Sequence, residues 1–283
     1  MIKMNNGLTA TEEFKRQYND LVLEVFGFSF EKWFELNVWD ENYEVYSIFQ
    51  EERIISNVGV YKMKMIVNGI DKEFIQIGAV ATRIEDRGKG LSRKIMEHIF
   101  KIYPNTPAWL WANDSVLNFY PKFDFVPTSE KQPYIKVNLQ RNNKSLIRME
   151  ITDSKINDYL KNKKRFSNVL DCKNHFAINW FHLINIHHKD IYEIPELDLM
   201  LVIKQMERTL MIYDIIGEKP VDFSEILTHL SFEGVDTIKF GFNPEWLDLE
   251  CSFEDVKVEN STLFVRGGID LDKNYIIPRL IRT

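Results

Sequence analysis

Cysteine is almost missing from this chain. Cys172 and Cys251 are the only two, they fall outside any CxxC spacing, and they cannot build a disulfide framework or a multi-cysteine zinc site. That fits a reducing compartment. Long apolar runs are missing too. The most apolar stretches, Phe176 to Ile186 and Leu197 to Ile216, are broken by Asn, His, Lys, Glu and Arg before the ~20 residues that a membrane helix needs. The start, Met1 to Gly7, has no apolar core of a signal peptide, so a cytoplasmic protein is the default expectation. An excess of basic charge is absent as well: 36 Lys and Arg against 42 Asp and Glu give a formal charge of -6. There is no global electrostatic case for nucleic acid or for an anionic membrane as partner. No low-complexity segment occurs, and no pattern sets an oligomeric state.

What remains is the composition of a folded protein. At 45% hydrophobic and 28% charged over 283 residues, the chain can bury one large core or two modest ones, and two is the better prior.

Thr9 with Glu12 reads as a capping box, with Phe14, Tyr18, Leu21, Val22, Val25 and Phe26 at helical spacing behind it. Phe28 to Leu36 reads as a second helical segment. Tyr43 to Gln50, Arg53 to Val67 and Glu73 to Arg83 read as strands, the last two joined by a type I′ turn at Asn68-Gly69. From Leu91 the period becomes 3.6, with Leu91, Ile95, Ile99 and Ile102 on one stripe, until Pro104 and Pro107. Trp109 to Ala112 then reads as a strand, Ser115 to Phe119 as a brief helix and Tyr134 to Leu139 as the closing strand of an ααβββαβαβ first half.

The polar run from Gln140 to Ser145 marks a linker. Beyond it, Leu199 to Ile203 with Leu210 to Ile216, a short helix capped by Asp222 with Glu225, and the strand Thr237 to Phe242 repeat a ββαβ order. Val256 to Arg266 and Tyr275 to Ile281 are strand-like. The expected class is α/β (α+β), a mixed and mostly antiparallel sheet flanked by helices, with domains over 1–140 and 146–283.

The informative stretch runs from Val80 to Ser92, where a strand passes through a glycine-bearing turn into the amphipathic helix. Closely spaced glycines at a helix N-terminus expose backbone N–H groups to phosphate. A Walker A loop, GxxxxGK(S/T), is absent, and a GxGxxG fingerprint fails because Arg93 holds the third glycine position. Arg87-x-x-Gly90-x-Ser92 resembles the Q/R-x-x-G-x-G/A signature of the GNAT superfamily, the acetyl-CoA-dependent N-acetyltransferases. Asn113 to Tyr120 followed by Phe123-Asp124-Phe125 resembles that family's N-x6-Y-x-x-x-G-F segment. Ser92 and Asp124 depart from the family, which usually has Gly or Ala at the first position and Gly at the second. The resemblance covers roughly residues 10 to 140.

The resemblance implies acetyl-CoA as co-substrate, held by the Val80, Ala81 and Thr82 strand, by the turn of Arg87, Gly88, Lys89, Gly90, Leu91 and Ser92, and by Asn113. It implies an oxyanion stabilised at the Val80 backbone N–H and a thiolate protonated by Tyr120. The alternative for Tyr120 is a core aromatic beside Phe119 and Phe123. Arg83, Arg87, Lys89, Arg93 and Lys94 make the turn locally basic inside an acidic protein. An amine near pKa ~10.4 must lose a proton before it attacks, and Glu73 is the candidate base.

No metal is expected. His175, His182, His187 and His188 cluster in sequence without an HExxH pattern or a cysteine partner. There is no GxSxG elbow for hydrolase chemistry, and Cys172 and Cys251 read as packing residues. In the second half the equivalent turn, Ile216 to Asp222, carries one glycine, two acidic residues and a proline, so it is expected not to bind pyrophosphate. Tandem arrangements of this kind resemble the enhanced-intracellular-survival acetyltransferases. Glu31, Glu35, Asp40, Glu41, Glu44, Glu51 and Glu52 make one region acidic, which suits a cationic amine or is simply a solvated surface. The expected reaction is acetyl transfer to a primary amine of a small molecule or peptide. Its rivals are a non-catalytic acyl-CoA-binding sensor and a tandem aminoacyl- or myristoyl-transferase of similar fold.

Overall fold

The first helix begins one residue after Thr11, whose hydroxyl accepts from the Phe14 N–H at 3.1 Å. Thr9 instead bonds Asn6, so the expected capping box is displaced by two residues. The computed structural model describes residues 1–139, 144–269, 271 and 274–282. Of the expected linker, residues 140–143 lie outside the described residues.

The first half runs β1 (Ile2–Asn5), α1 (Glu12–Phe26), α2 (Glu31–Glu35), β2 (Tyr43–Gln50), β3 (Arg53–Val67), β4 (Ile70–Thr82), α3 (Leu91–Ile102), β5 (Ala108–Ala112), β6 (Val126–Pro127) and β7 (Lys131–Lys136). The rest follows as β8 (Ile147–Arg148), α4 (Ser154–Asn162), β9 (Leu170–Cys172), α5 (Phe176–Asn185), β10 (Ile191–Ile194), β11 (Leu199–Met206), β12 (Thr209–Ile216), α6 (Phe223–Leu227), β13 (Thr237–Phe240), β14 (Ser252–Asp255) and β15 (Thr262–Arg266). Both Asn68 and Gly69 adopt positive φ between β3 and β4, as a type I′ turn requires.

Two sheets result. One has the order β1-β2-β3-β4-β5-β15-β6, with β9 also paired to β3; the other has the order β14-β7-β13-β12-β11-β10-β8. Each is mixed and mostly antiparallel, with one parallel pair, β4 with β5 and β12 with β13. The two orders are the same pattern. In each, the strand after the parallel pair comes from the other half of the chain: β15 lies between β5 and β6, and β7 lies between β13 and β14. The fold is therefore α+β, two halves of like strand order joined by a reciprocal exchange of strands.

This corrects the expectation that Tyr134 to Leu139 closes the first sheet. A strand's partner is a non-local choice that its own pattern does not carry. In the second sheet the buried Gln132 side chain donates to the Phe240 carbonyl at 2.5 Å, and Ile135 packs on the second core. Tyr275 to Ile281 is not a strand either. The Ile276 and Ile277 N–H groups donate to the side chains of Asn243 and Glu130, and a single 3-10 turn at Arg279–Ile281 follows.

Three apolar clusters hold the layers. The first sheet packs one face on α3 and the other on α1, α2, α4, α5 and a face of the second sheet; the second sheet's remaining face carries α6. The shared central cluster mixes Tyr18, Trp33 and Trp109 with Leu183, Met200 and Ile277, so the two halves share one continuous core.

Candidate active site

The site forms where β4 leaves its neighbours. Its pairing with β3 shifts between Asn57 and Gly59, a β-bulge that leaves Ala79 and Val80 without register partners there. Its pairing with β5 is confined to Ile75 with Ala108 and Gln76 with Trp109, so the two parallel strands part ahead of the bulge. Ala79 has φ of +45°, a region costing a non-glycine residue on the order of 1–3 kcal/mol, and the Asn57 amide holds it by donating to the Ala79 carbonyl at 2.6 Å. Ala79 packs on the central cluster and Val80 on the α3 cluster. Two successive residues thus address opposite faces of the sheet at the point where it opens.

After Thr82 the chain makes a 3-10 turn at Ile84–Asp86 and enters α3 through Gly88 and Gly90. Both glycines have positive φ, 78° and 73°, and a Cβ on either would meet nothing within 4 Å. Gly90 caps α3 with no side-chain hydrogen bond, and the first turn holds no acidic residue. The amides of Leu91 and Ser92 and the positive end of the helix dipole therefore face outward uncompensated, the arrangement that suits a phosphate.

The basic residues of the turn are fewer than the sequence count. Arg83 is buried against Glu24 and donates to the Ile54 carbonyl, Lys89 Nζ lies 2.5 Å from Asp86 Oδ1, and Arg93 pairs with Glu97 on the helix surface. Arg87, whose Nε donates to the Thr82 carbonyl at 3.3 Å, and exposed Lys94 are the cations of this turn that pair with no carboxylate among the described residues. The residues present fit a diphosphate through backbone amides more than through side-chain charge.

Tyr120 opens a 3-10 turn, Tyr120–Phe123, on the α3 face of the sheet. Its ring packs against Phe119, Phe125 and Phe264, and burial pushes its phenol up to about 12. Its hydroxyl has no hydrogen-bond partner among the described residues. It belongs to the apolar cluster against which Val80 packs. Asp124 has φ of +65°, which explains why the family favours glycine there and why Asp, tolerant of this region, can replace it. Asn113 is exposed where β5 ends.

Glu73 is not brought to the opening. It is exposed near the β3–β4 hairpin, opposite Lys64, seven residues from Val80, which at the rise of a strand is about 23 Å. The acidic region is dispersed: Glu44 is buried and bonded to the hydroxyls of Tyr46 and Tyr103 and to Lys62, and Asp40 bonds Asn42. Three of the histidine rings have separate partners, His175 with the Cys172 carbonyl, His182 with the Arg282 carbonyl and His187 with Asp190. Among the described residues no three His, Cys, Asp or Glu are grouped to hold a metal. Burial pushes Cys172 to about 12 and Cys251 to about 11, far from reactive thiolates.

Sequence reading missed the recess on the other side of the bulge. Phe28, Phe30, Trp33, Tyr43, Tyr61 and Ala79 line it together with Ile178 and Phe181 of α5, around a cavity of about 40 Å³. The aromatic residues between Phe26 and Trp39 were its sequence trace, but they read equally well as core.

The corresponding turn of the second half is closed to an anion. A Cβ on Gly217 would lie 2.5 Å from Leu199 Cδ2, and α6 begins with the Asp222 carboxylate accepting from the Ser224 N–H at 2.8 Å. An acidic side chain sits where an anionic ligand would dock.

Comparisons with known proteins agree with this geometry. The acetyltransferase (GNAT) domain family matches residues 8–128. No curated protein matches the chain by sequence. Among solved structures, a conserved protein of unknown function from Enterococcus faecalis V583, described as a probable N-acyltransferase, superposes with a TM-score of 0.61 at 16% identity, covering 94% of this chain and 72% of that one. Eis1 from Mycobacterium abscessus gives 0.52 at 10%, covering 93% and 73%, and a putative acetyltransferase from Pyrococcus horikoshii gives 0.51 at 11%, covering 100% and 96%. These likenesses extend the fold over nearly the whole chain. No described helix is long and apolar enough to cross a membrane. Residues 8–128 are a GNAT acetyltransferase domain, and such a domain uses an acyl-CoA co-substrate and an acceptor.

Proposed function

We propose that the protein is an N-acetyltransferase that moves the acetyl group of acetyl-CoA to a primary amine by direct attack in a ternary complex. The observation that carries this reading is the coincidence of an uncapped, glycine-entered helix N-terminus with the bulge and parting of β4 from β5. The amides from Gly88 to Ser92 would hold the diphosphate, with Arg87 and Lys94 beside them, and Val80, Ala81, Thr82 and Asn113 would flank the remainder of the coenzyme.

At the bulge the Val80 N–H has no register partner on β3 or β5 and would donate to the oxyanion of the tetrahedral intermediate. With the coenzyme thiol near ~8.5 and the Tyr120 phenol at about 12, complete proton transfer is uphill by about 5 kcal/mol. Tyr120 therefore serves as a hydrogen-bond donor to the developing thiolate, a role that needs a phenol still protonated at the working pH. The second half completes the first sheet through β15 and supplies α5 to the recess. We assign it no coenzyme site of its own.

The test is calorimetric titration of the full chain with coenzyme A together with an assay of free thiol release from acetyl-CoA across amines. Binding with amine-dependent thiol release is expected. Binding with no amine-dependent release would leave only an acyl-CoA-binding module, and absence of binding would remove the reading altogether.

A further inference from the structure

In the second sheet β12 stands where β4 stands in the first, and it repeats the local break. Its pairing with β11 shifts between Val202 and Ile203, which leaves Tyr213 without a register partner, and its parallel pairing with β13 stops at Ile212 with Phe240. Arg279 lies against that opening. Its N–H donates to the Gly241 carbonyl at 2.7 Å, and its stem crosses Gly241 so closely that a Cβ there would lie 2.9 Å from Arg279 Cγ. Its Nη2 donates to Gln132 Oε1 at 3.2 Å, and the buried Gln132 is fixed in turn by donating to the Phe240 carbonyl. Backbone, stem and head are each held.

The guanidinium itself is left uncompensated. Its Nε is buried with no hydrogen-bond partner, and the Glu130 carboxylate that acts on it is already taken by Arg282 and by the Ile277 N–H. Burial pulls Arg279 below the usual arginine range, with Glu130 opposing. The group faces a cavity of about 710 Å³, within the ~300–1,000 Å³ of small-molecule sites. That cavity opens to solvent between exposed Met206 and Glu207 at the β11–β12 hairpin and exposed Glu254 and Asp255 of β14. Lys239 pairs with Glu254 and Lys131 with Asp255. Arg279 and exposed Lys257 are then the lining cations that pair with no carboxylate among the described residues.

We propose that this cavity is a binding site for a small monocarboxylate, its carboxylate received by Arg279 and its apolar chain laid on Met206 and Met211. A guanidinium presents paired donors in one plane, which match a carboxylate or a phosphate. The rest of the lining decides between them. It carries three basic and three acidic side chains, so there is no surplus of positive charge for the second negative charge of a phosphate monoester. A cationic ligand would meet the uncompensated guanidinium. The site is separate from the transfer centre, because none of its lining comes from β4, β5 or α3 and the closed turn at Gly217 to Asp222 is not part of it. It goes beyond the transferase reading and stands without it.

Hexanoate, hexylphosphonate and hexylamine share one chain and differ in the head group, and each is titrated calorimetrically into the full chain with and without saturating coenzyme A. Hexanoate is expected to bind tightest, at an affinity that coenzyme A leaves unchanged. Arg279→Met, which keeps a stem over Gly241, is expected to weaken it about ten- to hundredfold, and Lys257→Ala, on the surface, about two- to fivefold. Absence of hexanoate binding, binding that R279M leaves intact, or displacement of hexanoate by coenzyme A would each overturn the proposal. Tighter binding of hexylphosphonate or of hexylamine would overturn it as well, the first in favour of a phosphate site. Should R279M fail to fold, hexanoate affinity unchanged in K257A would overturn it.

Discussion

The Thr82 hydroxyl lies 2.8 Å from the Ser92 hydroxyl, and Thr82 also lies 2.8 Å from Ser56, which donates to the Ala81 carbonyl. A chain of hydroxyls thus ties β3 to the end of β4 and to the first turn of α3. Ser92 stands where the family usually has Gly or Ala, and its side chain is engaged with the strand. Ser92→Ala is expected to cost about 0.5–1.5 kcal/mol of stability with coenzyme affinity nearly unchanged. Denaturant unfolding and calorimetry of the same variant check this, and a large loss of affinity at unchanged stability would make Ser92 a ligand contact instead.

Gly90→Ala separates the backbone requirement from the ligand requirement. With φ of 73° and open space around the missing Cβ, the folded protein should lose only about 1–2 kcal/mol from the left-handed backbone. The added methyl would stand over the first amides of α3, so coenzyme A should bind more weakly by about 1.5–3 kcal/mol, roughly ten- to hundredfold. Thermal melting and calorimetric titration give the two numbers independently.

Tyr120→Phe should leave stability within about 0.5 kcal/mol, because the hydroxyl has no partner to lose, and should leave coenzyme affinity unaltered. Turnover should fall roughly a hundredfold if the phenol assists departure of the thiolate. Since burial holds the phenol at about 12, turnover should show no loss from Tyr120 ionisation below about pH 10. Steady-state rates for both proteins across pH decide it, and equal turnover would make Tyr120 a core aromatic.

Acid should destabilise the protein through its buried histidines. Burial lowers His175 and His182 to about 3, with the charge of Lys163 adding at His175. The fold therefore keeps both rings neutral, and a group with a depressed folded value contributes stability that is complete above the unfolded value of ~6.5 and lost as the pH falls toward the folded one. Melting temperature should decline from pH 6.5 downward, and His182→Gln should flatten that decline at some cost at neutral pH. An unchanged slope would place the acid sensitivity elsewhere.

Cutting the chain within 140–145 should yield two pieces that do not fold alone. The first lacks β15, which separates β5 from β6, and the second lacks β7, which separates β13 from β14. Each piece would also carry an unpartnered strand, an aggregation hazard. Co-expression should recover a soluble complex, visible by size-exclusion chromatography; two monomeric, cooperatively melting fragments would contradict this.

Local features of the chain were decided by the sequence. The 3.6 period of Leu91 to Ile102, the Asn68-Gly69 turn and the glycines before α3 each depend on contacts within a few residues, and so does the repeated ββαβ order. The strand-to-helix turn that carries the coenzyme reading is of this kind. Tertiary structure decided everything that depends on distant partners: the exchange of β7 and β15, the seating of Arg83 on Glu24 rather than on a phosphate, the removal of Glu73 to a hairpin, and the recess shared by Trp33, Ala79 and Phe181. Aromatic residues at those positions are equally compatible with a filled core or a lined cavity. Only the meeting of α1, α2 and α5 over the bulge separates the two, because a cavity belongs to surfaces brought together from across the chain and to no single segment of it.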